Sequence, residues 1–278
     1  MKKLLVIIAL LGFFFAPELS AQFLDDESST VGIYAENSTG LKKPMPQPSI
    51  READVMWKKT VWREIDFRQK MNQGFYFPIT PQDNWKNLYT ILIDGIEDGI
   101  ITAYNADVYV DIKGDLLEKI SFDELMKQHE RTTGGRAQIT ENININDVKR
   151  CMIKEIWYFD KQRSQLMVRI LAICPIEMRK MGDEDNAKEE RYPLFWVPYN
   201  EETRQLLVQY PFHNRSNSAA QLNYDEVFMK RMFDSYIIRE ENVYDRSISD
   251  YAQGIDALKE SERIKNTIID FEQNLWEY

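Results

Sequence analysis

Cysteine and histidine are scarce: the 278 residues hold two of each. Two cysteines cannot build a disulfide scaffold, and His129 and His213 cannot supply a three-histidine metal site. Neither histidine has a nucleophile beside it in sequence. Positive charge is also in deficit, with 35 Lys+Arg against 45 Asp+Glu and a formal charge of -10. No basic stripe interrupts that balance, so the chain repels phosphate backbones and nucleic acid is not an expected partner. The phosphate-cradling G-x-x-x-x-G-K-[ST], the dinucleotide G-x-G-x-x-G and the nucleophile-elbow G-x-S-x-G are absent. The cluster Asp183-Glu184-Asp185-Asn186 lacks the glycine and the spaced glutamate of a calcium loop. Catalytic residues, cofactor and metal are therefore not expected. Carboxylate pairs such as Glu64 with Asp66 or Asp94 with Asp98 are capable of acid–base work in principle, but 45 acids make such pairs inevitable and surface helices explain them adequately.

What is present begins with an address. Met1, Lys2 and Lys3 precede an apolar run, Leu4 to Phe15, and Leu19-Ser20-Ala21 reads as a cleavage site before Gln22. Residues 1–21 are expected to be a signal peptide cut between Ala21 and Gln22. The run is shorter than the roughly 20 residues that cross a bilayer, and no cysteine lies near the cut to carry a lipid. The mature chain is expected outside the cytoplasm, touching a membrane only through partners. Residues 22–48, with the run KKPMPQP, read as a flexible N-terminal arm, either a linker or a segment that orders on a partner.

The remainder, 49–278, reads as an α+β globular region with a mixed or antiparallel sheet, flanking helices and a helical C-terminal region. Ser49 to Glu52 has capping-box spacing, and Val55, Val61, Trp62 and Ile65 predict a first helix from near Ile50 to about Met71. Thr80-Pro81-Gln82-Asp83 predicts the start of a second, through Trp85, Leu88, Leu92, Ile93 and Ile96, ending at Gly99. Ile101 to Ile112 predicts a strand, and Ser121 to Glu124 a third capping box opening a short helix. Residues 131–146, with Gly134-Gly135 and several Asn, read as an irregular excursion; a division into two subdomains would fall there.

Cys151 to Phe159 and Leu166 to Cys174 predict a hairpin about Gln162 and Arg163. That register opposes Trp157 to Val168, Phe159 to Leu166 and Cys151 to Cys174. The two cysteines would then form either a cross-strand disulfide or two buried thiols. Leu194 to Val197 predicts a strand, and Glu201 to Tyr210 a helix stopped by Pro211. Val227, Phe228, Phe233 and Ile237 suggest further helix. Ser261, Ile264, Ile268, Phe271 and Leu275 make a narrow apolar seam on a terminal helix, to be buried in the core or on a partner. The 6 Trp, 14 Tyr and 14 Phe, many beside charges, suit protein interfaces and amphipathic cores alike.

Four segments carry a resemblance: VWREIDFRQKMNQGFYFP, IKEIWYFDKQRSQLMVRILAICP, LFWVPYN and RMFDSYIIREENVYDRSISDYAQGIDALKESERIKNTIIDFEQNLWEY. Together they resemble the GldN/PorN family of gliding motility and type IX secretion. The ordered series NVYDR, ISDY, ALKESERIK and LWEY is the most specific part. The resemblance implies a periplasmic, non-enzymatic subunit that forms a ring with itself and a GldK/PorK-like outer-membrane lipoprotein, engaged by GldL/GldM-like motor components. It also points to Asn242, Val243, Tyr244, Asp245 and Arg246, and to Ile264, Ile268, Phe271, Leu275 and Trp276, as candidate interface residues. A periplasmic enzyme and a glycan-binding module that stacks sugars on aromatics are the competing readings.

Overall fold

The computed structural model describes residues 43–82, 85–106, 118–129, 131–133, 139–141, 143–180, 189–213, 222–244 and 246–276. The segment expected to be a signal peptide with its cut between Ala21 and Gln22, most of the expected arm, the acidic cluster at 183–186 and Asp245 lie outside the described residues.

The strands are β1 (Val55–Asp66), β2 (Ala103–Asn105), β3 (Lys119–Ile120), β4 (Arg131–Thr133), β5 (Ile139–Glu141), β6 (Val148–Asp160), β7 (Gln165–Lys180), β8 (Glu189–Pro193), β9 (Phe195–Pro198), β10 (Pro211–Phe212), β11 (Leu222–Asn223) and β12 (Tyr236–Glu240). The helices are α1 (Gln73–Tyr76), α2 (Leu88–Glu97), α3 (Phe122–His129), α4 (Glu201–Gln209), α5 (Tyr224–Met229) and α6 (Ile255–Trp276). Eight strands form one antiparallel sheet in the order β12-β1-β6-β7-β9-β2-β3, with β8 added to β7. The α+β class holds, and the sheet is antiparallel.

The first predicted helix is instead β1. Val55, Val61, Trp62 and Ile65 give the helical reading, but β1 lies between β12 and β6 and is buried on both faces from Val61 to Ile65. A strand covered on both sides loses its alternation, so its apolar run is indistinguishable from a helical stripe. The Ser49–Glu52 spacing opens only a single turn, Glu52–Asp54, without a side-chain cap. Helix α2 starts at Leu88 rather than at Pro81, because Asn87 supplies the cap: its Oδ1 accepts the Thr90 N–H at 2.8 Å. Gly99 closes it with φ of 69°. The third capping box forms, with the Ser121 N–H donating to Glu124 Oε2 at 3.1 Å and α3 following. Of the strand expected over 101–112, β2 is seen and 107–117 lie outside the described residues.

The β6–β7 hairpin forms, and near its turn the register is the expected one: Trp157 opposes Val168 and Phe159 opposes Leu166. A bulge at Lys154/Glu155 then shifts the pairing by one, so Cys151 opposes Pro175 and Cys174 opposes Met152. A one-residue slip exchanges the faces of a strand, which puts the two thiols on opposite sides. Cys151 joins the large core with Ile65, Ile153 and Ile173, whereas Cys174 joins Trp62, Ala172 and Trp196 on the other face. Both are free and buried, so the opposed pair read from the sequence is not present. Burial pushes the Cys174 thiol up to about 12, and it raises Cys151 well above the ordinary range, Cys174 adding to that rise.

The large core lies on the helical face, where Phe75 packs on Phe67, Phe212, Tyr224, Phe228 and Phe233. Helix α5 is shorter than the pattern suggested, and Ile237 belongs to β12, not to a helix. The chain leaves α5 through a Schellman closure: the Arg231 N–H reaches Phe228 O at 3.2 Å and the Met232 N–H reaches Val227 O at 2.9 Å. Arg231 takes the left-handed position usually given to glycine, at φ of 54°. The chain is thereby turned back to the edge of β1. Terminal helix α6 is as predicted and packs on β12.

Candidate interaction surface

The segment joining β12 to α6 is held by short polar contacts. Asn242 Nδ2 donates to Glu240 O at 2.9 Å and to Arg246 O at 2.8 Å, and its Oδ1 accepts the Arg246 N–H at 3.2 Å. Asn242 thus ties a turn whose apex, Val243 and Tyr244, is 98% and 77% exposed. Ser247 and Asp250 then form a reciprocal capping box around the turn Ile248–Asp250. The Arg246 guanidinium lies 4.9 Å from the Tyr244 ring centre and 4.8 Å from that of Tyr251. Tyr251 Oη in turn donates to Glu260 Oε1 at 3.1 Å, and Arg263 binds the same carboxylate at 2.6 Å. The Arg263 hydrogen bond is the main reason the Glu260 carboxyl sits below its usual range.

Val243, Tyr244, Tyr251, Ile255 and Leu258 therefore present apolar surface from one continuous, internally braced segment. Large exposed apolar side chains of this kind mark interaction surfaces when they gather. The sequence pointed to Asn242, Val243, Tyr244 and Arg246; it missed Tyr251, Ile255 and Leu258. The signal for the last two was their three-residue spacing, off the Ser261–Ile264–Ile268 stripe.

That stripe faces inward. Ile264 and Ile268 are buried, Ile264 against Ile237 and Ile248, and the Ser261 hydroxyl accepts the Ile237 N–H at 2.8 Å. Phe271 stacks on Trp57 with centroids 4.5 Å apart. Ile264 and Ile268 are thus part of the chain's own core. Leu275 is half-buried, and the Trp276 side chain lies outside the described residues.

Beneath the surface, buried carboxylates are cross-linked by cations. Glu64 on β1 accepts from Arg150 on β6 and from the Tyr236 hydroxyl on β12, with Arg191 Nη1 at 3.3 Å. Glu155 on β6, wholly buried, receives both terminal nitrogens of Arg231 at 2.8 and 3.2 Å and Trp157 Nε1 at 3.2 Å. Asp225 on α5 receives Arg204 from α4 at 2.8 and 3.0 Å and the Tyr199 hydroxyl at 2.6 Å. Burial, then Asp225, raises the Tyr199 phenol far above its ordinary range, so it remains a donor. None of these three carboxylates was read from the sequence as structural, because nothing local distinguishes them from the many surface acids. His129 lies against Leu194 O through Nε2 at 3.1 Å and against Arg179 through Nδ1 at 3.3 Å.

A cleft of about 180 Å³ lies between the sheet and α6, lined by Arg63, Trp157, Arg231, Lys265 and Ile268 among others. Two of its lining side chains, Arg231 and Trp157, are engaged with the buried Glu155. Among the described residues no group of three or more His, Cys, Asp or Glu could hold a metal ion, and no helix is long and apolar enough to cross a membrane.

The fold and surface define an α+β protein with an antiparallel sheet, ionic cross-links inside it and a braced aromatic segment outside it. The family model described as "Gliding motility associated protein GldN" matches residues 50–277, most of the chain. The chain belongs to the GldN family and is a gliding motility associated protein. No curated protein matches the sequence.

Proposed function

We propose that this protein is a non-enzymatic structural subunit of the gliding and type IX secretion machinery. After export it forms a periplasmic ring with copies of itself and a GldK/PorK-like outer-membrane lipoprotein, and GldL/GldM-like motor components engage that ring. The observation that carries the reading is the exposure of five large apolar side chains, Val243, Tyr244, Tyr251, Ile255 and Leu258, the first three on a segment braced by Asn242, the Ser247–Asp250 box and the Arg246 stack. The bracing stabilises the turn itself, and it also preorganises the aromatic anchors from which an interface gains affinity. A ring further requires one face of the subunit to complement a different face of its neighbour.

The test is to mix the mature protein with the lipoprotein and follow assembly by light scattering and electron microscopy. Large ring particles are expected. Val243→Asp with Tyr244→Asp should abolish them at little cost in melting temperature, since both side chains are mostly exposed and only the Tyr244 contact with Arg246 is lost. Only small species from the unaltered protein, or unimpaired rings from the double variant, would refute the reading.

A further inference from the structure

Pro44 to Pro48, the end of the arm, lies on the body. The Met45 N–H donates to Asp225 Oδ2 at 3.3 Å, and Arg204 Nη2 donates to Met45 O. Further along, Arg169 Nη2 donates to Pro48 O at 2.8 Å and Gln47 Nε2 to Met229 Sδ at 3.3 Å. The side chains of Arg204 and Asp225 are 4% and 1% exposed and are oriented by each other and by Tyr199. They form a rigid cradle that reads a backbone N–H and a backbone C=O.

We infer that this cradle also receives the 43–48 segment of a second copy of the chain, so that copies link arm into body. The inference rests on the ring reading above. Three features support it. Recognition is almost entirely of backbone groups, and Lys43, Met45 and Pro46 stay exposed, so little apolar burial ties the segment to its own body. Pro44, Pro46 and Pro48 hold the segment extended without help from the body, so it carries the same shape to any cradle. Finally, among the described residues the next hydrogen bonds to the body are at Asp54, whose carbonyl accepts the Lys161 N–H at 2.9 Å and whose carboxylate accepts Gln162 Nε2 at 2.8 Å. Ser49 and Arg51 between them are exposed and act as the hinge.

Closed and exchanged forms contain identical contacts and differ only in the hinge and in association, which makes exchange a low-cost route to assembly. Neighbours already held in a ring meet at effective concentrations on the order of millimolar, which favours the exchanged form. The arm and the cradle are different surfaces, so the contact is heterologous and propagates around a ring.

The experiment uses two single variants, Gln47→Cys and Met229→Cys, whose side chains touch. The native thiols are buried and do not compete. The two variants are mixed, assembled with the lipoprotein, oxidised and run on a non-reducing denaturing gel. A covalent dimer absent from either variant alone is expected, and the double variant should give a ladder of multimers. If the double variant links only within single chains while electron microscopy shows rings, arm exchange is overturned and the ring reading stands. If no particles form, both fall. Should either variant fail to fold, assemblies of isotopically light and heavy chains cross-linked at Lys43 give the same reading: exclusively light–light and heavy–heavy arm contacts overturn the proposal.

Discussion

Replacing Arg231 by glycine sets two opposing effects against each other. Glycine takes φ of 54° freely, whereas a side chain there costs about 1–2 kcal/mol, so the backbone is relieved. The same change removes both guanidinium contacts from Glu155, which is 0% exposed. Stranding a buried charge costs about 3–5 kcal/mol, and the lower end applies because the Arg231 side chain is itself 31% exposed and screened by water. The losses exceed the relief by about 1–2 kcal/mol, a fall of about 2–8 °C in melting temperature for a domain of this size. Thermal and urea unfolding followed by circular dichroism would measure it. In a Glu155→Gln background the buried charge is gone, and Arg231→Gly should cost much less or stabilise. An Arg231→Gly variant more stable than the parent would refute the reasoning, showing that the strained arginine is not retained for its carboxylate.

Two further outcomes follow from packing. Ile264→Ala on α6 opens a cavity against Ile237 and Ile248 and should cost about 2–5 kcal/mol; a loss below about 1 kcal/mol in urea unfolding would mean that the stripe is not core. The two thiols should resist alkylation at pH 8 in the folded protein and react at once in urea; native labelling at the rate of a free thiol would contradict their burial. Their raised pKa values also give a sign: the unfolded chain ionises first, from pH about 8.5, so stability is complete below that pH and falls as the pH climbs toward about 12. A stability that stays flat or rises between pH 9 and 11 would be inconsistent with buried neutral thiols.

Local chemistry alone determined much of this molecule. The Ser121 box, the Gly99 closure, the polar turn of the β6–β7 hairpin, the stop before Pro211 and the α6 stripe are all readable because each depends on residues within a turn or two of one another. The ordered motifs near the C-terminus also carried the family. Other features depended on partners distant along the chain. β1 is a strand because β12 and β6 flank it and bury both its faces, which erases the alternation a sequence reader needs. The bulge at Lys154/Glu155 falls where β7 begins to pair with β9, at Ala172, and one inserted residue was enough to part Cys151 from Cys174. Which acids are buried was likewise decided only in three dimensions: Glu64, Glu155 and Asp225 look like any surface carboxylate until Arg150, Arg231 and Arg204 arrive from other elements. Periodicity assigned one face of α6 to the interior, while the exposure of Tyr251, Ile255 and Leu258 required knowing that nothing else among the described residues covers them. Short-range hydrogen bonding and periodicity are written in neighbouring residues, whereas burial and charge pairing depend on contacts that exist only once distant segments meet.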